Sequence, residues 1–98
     1  MGVQIVALTA LNPGAENALH KYLSVVGPLM ESANAKILHR YELAESIAGS
    51  NDCQFVTIIE YPDQAAISKV FDSEEYKTLV EVKKLAFSNY QVNVVNTN

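Results

Sequence analysis

The sequence has 98 residues and a formal net charge of −4, and 49% of its residues are hydrophobic while 18% are charged. A chain of this length folds around a single hydrophobic core, so we predict one domain over residues 1–98. The seven lysines and arginines form no basic stripe, which argues against nucleic acid and acidic membrane surfaces as partners.

The cysteine content and the start of the chain favour a soluble cytoplasmic protein. The single cysteine, Cys53, has no second cysteine for an internal disulfide, which fits a reducing compartment. The first lysine is Lys21, so no basic region precedes an apolar run as in a signal peptide. No apolar run reaches the roughly 18 residues of a membrane-spanning helix.

The first half of the chain predicts a strand followed by a helix. Residues 3–11 are apolar and β-branched at both odd and even positions, which is typical of a strand covered on both faces. Asn12-Pro13-Gly14 ends this strand. Apolar residues at steps of three and four then predict a helix over 15–33. Pro28 has no amide hydrogen, so we expect the helix to bend or restart there.

Residues 36–48 alternate imperfectly and predict a second strand near the edge of a sheet. One set of its side chains faces one way (Ile37, His39, Tyr41, Leu43) and the other set the opposite way (Lys36, Leu38, Arg40, Glu42). Gly49-Ser50-Asn51-Asp52 is a turn that returns the chain into a third, buried strand over 53–61. The two strands therefore form a hairpin.

A second helical region follows Pro62. Asp63 is the predicted N-cap of a helical turn, and Asp72 is the predicted cap of the next helix with Glu75 as its capping-box partner. Five residues form the predicted inner stripe of that helix: Tyr76, Leu79, Val80, Lys83 and Phe87. Residues 90–95 predict a final strand.

The order of elements is β-α-β-β-α-β, which predicts an α+β, ferredoxin-like fold with a four-stranded antiparallel sheet and both helices on one face. Strands one and three are apolar on both faces, yet the helices cover only one face of the sheet. An uncovered apolar sheet face exceeds what monomers tolerate. We therefore predict a homodimer that forms through the helix-free face.

Four segments also carry a family resemblance: Tyr22 with Pro28, Ile37-Leu38-His39-Arg40, Ile58-Ile59-Glu60-Tyr61-Pro62, and Asp72-Ser73-Glu74-Glu75-Tyr76. Together they resemble the dimeric α+β-barrel superfamily, and within it a small bacterial branch known only as a domain of unknown function. The resemblance covers nearly the whole chain and implies the fold and the dimer. It implies no reaction, because the branch has no established one.

The chain departs from that family pattern at two places. The family usually enters strand two through paired glycines, where this chain has Asn34-Ala35. It also usually carries an arginine seven residues after the tyrosine of helix two, where this chain has Lys83. Lysine keeps the charge but lacks the planar fork with which arginine grips a carboxylate.

The sequence offers few residues for metal or cofactor chemistry. The two histidines and one cysteine show no HxxxH, HxH or CxxC spacing, so we expect no metal site. No glycine-rich loop follows a strand to hold a phosphate, and Cys53 has no cationic neighbour in sequence to activate it. We expect no cofactor.

Five residues remain as candidates for binding a ligand at the rim of a cleft: His39, Arg40, Glu60, Tyr76 and Lys83. His39 is also the best candidate for a catalytic base, because imidazole titrates near neutral pH. Its structural alternative is a core or interface histidine bonded to the backbone. Glu60 lies in an otherwise apolar strand, where pairing with a cation is the simpler alternative to a functional role.

Three functions are compatible with these residues. The first is binding of a small organic molecule in a mostly apolar cleft between sheet and helices. The second, by analogy with related dimeric barrels, is a cofactor-independent oxygenase or isomerase with His39 as base. The third is a structural or regulatory interaction domain. The sequence identifies no ligand. The first two functions require that His39 and Arg40 face one enclosed cavity, and only a demonstration of turnover distinguishes between those two.

Overall fold

The computed structural model of the chain describes residues 2–49 and 52–96. Its elements are β1 (Val3–Leu11), α1 (Glu16–Ser32), β2 (Lys36–Glu42), β3 (Phe55–Tyr61), α2 (Gln64–Phe71), α3 (Glu74–Lys77), α4 (Val80–Ala86) and β4 (Phe87–Val95). This order confirms the predicted β-α-β-β-α-β arrangement, with the second helical region divided into three short helices.

The four strands form one antiparallel sheet in the order β2-β3-β1-β4. The two strands that are apolar on both faces, β1 and β3, are central, as predicted. The helices pack on one face, which we call the helix-covered face. The domain measures 34 × 34 × 16 Å, so it is only two layers thick and no second layer lies on the other face.

Two clusters of buried side chains join the helices to the sheet. The first contains residues of the sheet, of α2 and of the end of α1: Ile5, Ala33, Ile59, Tyr61, Ile67 and Val70. The second joins α1 to the residue before α4: Tyr22, Val26 and Leu79. These clusters bury the apolar stripe that predicted α1.

A β-bulge in β2 changes which side chains share a face. Ile37 lies opposite Ile59, whereas His39 lies opposite Ile58, so β2 accommodates Leu38 as an additional residue between them. Because neighbouring side chains of a strand alternate, Ile37 remains on the helix-covered face and His39 moves to the other. The prediction that Ile37 and His39 face the same way is therefore wrong.

The side of the sheet without helices is here called the helix-free face. Residues of all four strands form it: Gln4, Val6, Leu8, His39, Tyr41, Val56, Ile58, Glu60, Gln91 and Asn93. Two rows cross it, with His39, Ile58 and Val6 in one and Tyr41, Val56 and Leu8 in the other.

Three predicted strand boundaries differ from the structure. β2 ends at Glu42 instead of position 48, β3 begins at Phe55 instead of position 53, and β4 begins at Phe87 instead of position 90. The predicted place of Phe87 on the helical stripe is wrong, because α4 ends one residue earlier, where the Asn12 amide donates to the Ala86 carbonyl at 2.9 Å. Ser50 and Asn51 of the predicted turn lie outside the described residues.

The helix caps agree with the sequence in one case and differ in the other. Asp63 caps α2 as predicted, since its Oδ1 accepts a hydrogen bond from the Ala66 amide at 2.8 Å. Asp72 is not the N-cap of α3. Ser73 takes that position in an extended conformation, and its hydroxyl accepts from the Tyr76 amide at 3.1 Å.

The inner stripe of the second helical region is interrupted where α3 ends and α4 begins. Leu79, between the two helices, is 1% exposed, as the stripe predicted. Val80 is 49% exposed, so its predicted inward position is wrong. Because of this break, the buried side of α4 is rotated relative to that of α3. A single helical period across both helices therefore does not predict which residues are buried.

α1 runs without interruption through Pro28, so the predicted restart is wrong, and a bend there stays a prediction. The helix ends in a Schellman motif. The Asn34 amide donates to the Glu31 carbonyl at 3.1 Å, and the Ala35 amide donates to the Met30 carbonyl at 3.0 Å. Asn34 has a φ of 59°, the left-handed conformation that glycine usually supplies at this point. Asparagine tolerates it, which accounts for the departure from paired glycines.

Candidate functional site

A cavity of about 150 Å³ lies between α1 and the helix-covered face of the sheet. Most of its lining is aliphatic or aromatic, contributed by β1, β3, β4, α1 and the end of α2. Leu23 and Ile37, which also line it, are 52% and 59% exposed and therefore mark its mouth beside β2. An apolar cavity of this size accommodates a molecule of about the size of benzene.

The cavity exists because the middle of the sheet carries short side chains. Ala7 lies opposite Thr57 on one side and Val92 on the other, and all three line the cavity. Towards one end of the sheet, the larger Ile5 and Ile59 lie opposite each other and are buried under the helices. The change from large to small residues along two central strands leaves space beneath α1.

Three tyrosines and a lysine form a continuous set of hydrogen bonds at one side of the cavity, here called the hydroxyl chain. The Tyr22 and Tyr90 hydroxyl oxygens are 2.7 Å apart, and those of Tyr90 and Tyr76 are 2.8 Å apart. Lys83 Nζ donates to the Tyr76 hydroxyl at 3.0 Å and lies 4.3 Å from the centroid of that ring. Tyr22 and Tyr90 line the cavity, so the chain connects its wall to a charged group.

Tyr61 is a fourth tyrosine at the cavity, and its hydroxyl is unlike the others. The residue is 1% exposed and lines the cavity. Its Oη is buried and has no hydrogen-bond partner among the residues that the structure describes. Buried hydroxyls almost always have a partner, so this atom is an exception that requires an explanation.

Burial disfavours ionisation of the Tyr22, Tyr61 and Tyr90 hydroxyl groups. Burial raises the pKa of Tyr22 to about 12 and that of Tyr61 to about 12. Burial also raises the pKa of Tyr90, and the charge of a nearby Tyr22 phenolate would raise it further. At neutral pH the tyrosines therefore present O–H groups that can donate a hydrogen bond.

The structure places three of the five predicted site residues at or beside the cavity. Arg40 lines the cavity, with its guanidinium carbon 5.0 Å from the centroid of the Phe55 ring. Tyr76 and Lys83 are bonded to each other and reach the cavity wall through Tyr90.

The other two predicted site residues lie on the helix-free face, away from the cavity of their own protomer. His39 is exposed and stacks on Tyr41, with ring centroids 5.5 Å apart. Glu60 lies opposite Gln4 and Lys36 in the sheet register. The bulge at Leu38 is the reason that Arg40, and not His39, shares the helix-covered face with Ile37.

Sequence reasoning did not select Tyr22 and Tyr90 as site residues, and it treated Tyr61 as a side chain that could line a pocket but is more typical of packing. The sequence did indicate that two of these tyrosines are buried. Tyr22 lies on the apolar stripe of α1, and Tyr61, two residues after the buried Ile59, faces the same side of the sheet. A buried tyrosine requires a partner for its hydroxyl, and several such residues in one small core are expected to meet.

Two further findings concern metals and membranes. Within residues 2–49 and 52–96, no group of three or more His, Cys, Asp or Glu side chains is arranged to hold a metal ion. In the same part of the chain, no helix has the length and apolar composition needed to cross a membrane.

A family model described as "Domain of unknown function (DUF1330)" matches residues 5–97 of the chain. No curated protein matches the chain at a significant level. The chain is similar in structure to a protein of unknown function from Rhodopseudomonas palustris, RPA0582, with a TM-score of 0.81 and 20% identity over 99% of this chain and 82% of that one.

Two more distant structures share the fold. SnoaB, a cofactor-independent oxygenase from Streptomyces nogalater, has a TM-score of 0.64 and 9% identity over 99% of this chain and 93% of its own. A dimeric ferredoxin-like protein of unknown function from Thermobifida fusca has a TM-score of 0.56 and 9% identity over 97% of this chain and 90% of its own. Identities this low show the fold alone.

Proposed function

We propose that the chain, which belongs to the family described as domain of unknown function DUF1330, binds a small, mostly apolar organic molecule in the cavity beneath α1. The observation that carries the proposal is the cavity itself. Small-molecule sites are typically concave, mostly apolar and supplied with a few polar groups, and this cavity has those features. A cavity of about 150 Å³ in so thin a domain therefore supports a binding role.

The mouth and the lining support the same proposal. The apolar lining favours a ligand that is mainly hydrocarbon, and Arg40 and the tyrosines supply the few polar groups that orient it. Of the predicted ligand-binding residues, Arg40, Tyr76 and Lys83 keep this role in the proposal. His39 and Glu60 have no path to the cavity within one protomer.

The experiment is fluorine NMR with fluorobenzene, a single-ring probe of suitable size. We expect the probe signal to shift and broaden on addition of the protein. Val92→Phe fills the cavity and should abolish binding. Val94→Phe is the matched control, because Val94 is on the same strand and face but is 53% exposed and outside the cavity lining. Unchanged binding to Val92→Phe would contradict the proposal.

We further propose that the binding unit is a homodimer formed through the helix-free face. Val6, Leu8, Val56 and Ile58 lie on this face and are half-buried, with no helix above them. A second copy is a cover that the chain itself can supply, and the ferredoxin-like protein from Thermobifida fusca is described as dimeric.

The alternative function, an oxygenase or isomerase with His39 as base, has less support from the geometry. A base must lie within hydrogen-bonding reach of the proton that it removes. His39 and the cavity are on opposite faces of the sheet, so the structure favours binding over catalysis by His39.

A further inference from the structure

The residues that line the cavity are spread along most of two elements, β1 and α1. On β1, every second residue from Ile5 to Leu11 belongs to the lining. At about 3.4 Å per residue, these two positions are roughly 20 Å apart along the strand. On α1 the lining extends from Leu19 to Met30, which corresponds to roughly 16 Å of helix. The cavity is therefore elongated along β1 and beneath α1.

The width of the cavity changes along this length. The short side chains around Ala7 leave the space at the middle of the sheet. Larger side chains line the cavity in both directions from there, with Ile5 and Ile59 towards one end and Leu11 and Phe87 towards the other. The middle suits a single ring, and the narrower parts suit a chain of methylene groups better than a second ring.

The cavity opens beside β2, where the helix layer ends. Every residue of β2 is exposed, yet Ile37 of this strand lines the cavity. Leu23 of α1 lines it as well. Since both side chains are more than half exposed, apolar surface continues from the interior of the cavity to the surface of the protein.

The proposed dimer leaves this mouth open. Ile37 lies on the helix-covered face and Leu23 belongs to α1, so a second copy on the helix-free face contacts neither. Isolated exposed aliphatic side chains are ordinary on protein surfaces, but these two belong to the lining of one cavity. A bound molecule that extends out of the cavity covers both of them, whereas a molecule confined to the middle leaves them in water.

We propose that the bound molecule is an open-chain one, an alkyl or acyl chain, and not a compact ring system. Its inner part lies along β1 beneath α1, and its outer part passes between Leu23 and Ile37 towards solvent. The inference rests on the proposed binding function and names the shape and chemical class of its ligand. In a long, narrow cavity each added methylene of a chain gains contact, whereas a compact molecule with as many carbon atoms is too wide.

The test measures how three alcohols compete with fluorobenzene in fluorine NMR: 1-hexanol, 1-decanol and 1-adamantanol. 1-Decanol and 1-adamantanol have the same number of carbon atoms, in a chain and in a compact cage. Complete burial of a methylene raises affinity about fourfold, and half burial, as at the mouth, about twofold. We therefore expect 1-decanol to bind roughly tenfold more tightly than 1-hexanol. 1-Adamantanol should bind more weakly than 1-decanol.

Two substitutions at the mouth assign the gain to the outer part of the chain. Leu23→Ser and Ile37→Ser each remove apolar surface there, and both variants are expected to fold because the two side chains are more than half exposed. Each should lower the affinity ratio of 1-decanol to 1-hexanol from about tenfold to about threefold. Leu85→Ser is the matched control, since Leu85 is 65% exposed on α4, lies outside the lining and should leave this ratio unchanged.

Three results would overturn this inference and leave the binding function standing. They are equal binding of 1-hexanol and 1-decanol, an unchanged ratio in either mouth variant, and binding of 1-adamantanol as tight as that of 1-decanol. Failure of fluorobenzene itself to bind would instead refute the binding function.

Discussion

The tyrosines at the cavity differ in what their hydroxyls contact, although their rings occupy similar apolar surroundings. Tyr90 bonds to both Tyr22 and Tyr76, whereas Tyr61 Oη has no partner among the described residues. A buried hydroxyl contributes to stability when it is bonded and costs desolvation free energy when it is not. The same substitution is therefore expected to have different effects at these positions.

We predict that Tyr90→Phe lowers the free energy of unfolding by about 1–3 kcal/mol, because it leaves the buried Tyr22 hydroxyl without its partner. Tyr61→Phe should leave the stability of the ligand-free protein unchanged or raise it, because it removes an unpaired buried hydroxyl. Urea unfolding monitored by circular dichroism measures both. A loss in Tyr61→Phe as large as that in Tyr90→Phe would contradict the assignment.

The raised tyrosine pKa values predict a loss of stability at alkaline pH. Tyr22 and Tyr61 have a pKa of about 12 in the folded protein against 10.0 for a free tyrosine, so above pH 10 the unfolded chain releases protons that the folded chain retains. Their contribution is complete below about pH 10 and is lost as the pH rises towards 12, by roughly 2–3 kcal/mol for each group.

Urea midpoints measured between pH 9 and pH 11.5 test this dependence. The decline should be shallower in Tyr61→Phe than in the unsubstituted protein, and Tyr41→Phe serves as the control. Parallel curves for the unsubstituted protein and Tyr61→Phe would show that the Tyr61 pKa is not raised in the folded state.

At the same scale, the sequence predicted Arg40, Tyr76 and Lys83 as site residues but did not separate them from His39. The alternation of side chains along a strand predicts which face each one occupies only if every residue pairs in turn with the neighbouring strand. The additional residue at Leu38 breaks that rule. All residues of β2 are exposed in the protomer, so no buried side fixed the register in the sequence pattern.

At the scale of elements, strong local patterns predicted the structure well. Apolar residues at both odd and even positions predicted β1 and β3, and apolar residues at steps of three and four predicted α1. The second helical region was predicted as one longer helix after residue 72, yet the structure has α3 and α4 with a break near Leu79. The sequence in this region contains no glycine or proline to mark the break, and Leu79 at the break packs against Tyr22 and Val26.

The end of α1 allows a prediction about backbone conformation. Asn34 has a φ of 59°, where most side chains with a Cβ atom are strained. We expect Asn34→Ala to lower the free energy of unfolding by about 1 kcal/mol and Asn34→Gly to change it by less than about 0.5 kcal/mol. Thermal unfolding measures the difference. An Asn34→Ala variant as stable as Asn34→Gly would show that the left-handed conformation is not retained.

At the scale of the whole molecule, two layers leave the apolar centre of the helix-free face without a cover. The helices occupy one face, and the domain is 16 Å thick. The other face carries Ile58 and Val6 side by side at its centre. A face of 34 × 34 Å is broad enough for the about 800 Å² that each partner contributes to a standard interface.

The dimer proposal predicts that one charge at the centre of this face separates the protomers. Ile58→Lys should give a folded monomer, because a two-fold axis buries the new charge in both copies and an unpaired buried charge is costly. Leu85→Lys is the control, since Leu85 lies on α4 and is 65% exposed.

Sedimentation equilibrium at micromolar concentration should give twice the 10.7 kDa chain mass for the unsubstituted protein and for Leu85→Lys, and the chain mass itself for Ile58→Lys. Circular dichroism verifies that each variant is folded. An unsubstituted protein that sediments as a monomer, or a folded Ile58→Lys dimer, would contradict an interface on the helix-free face.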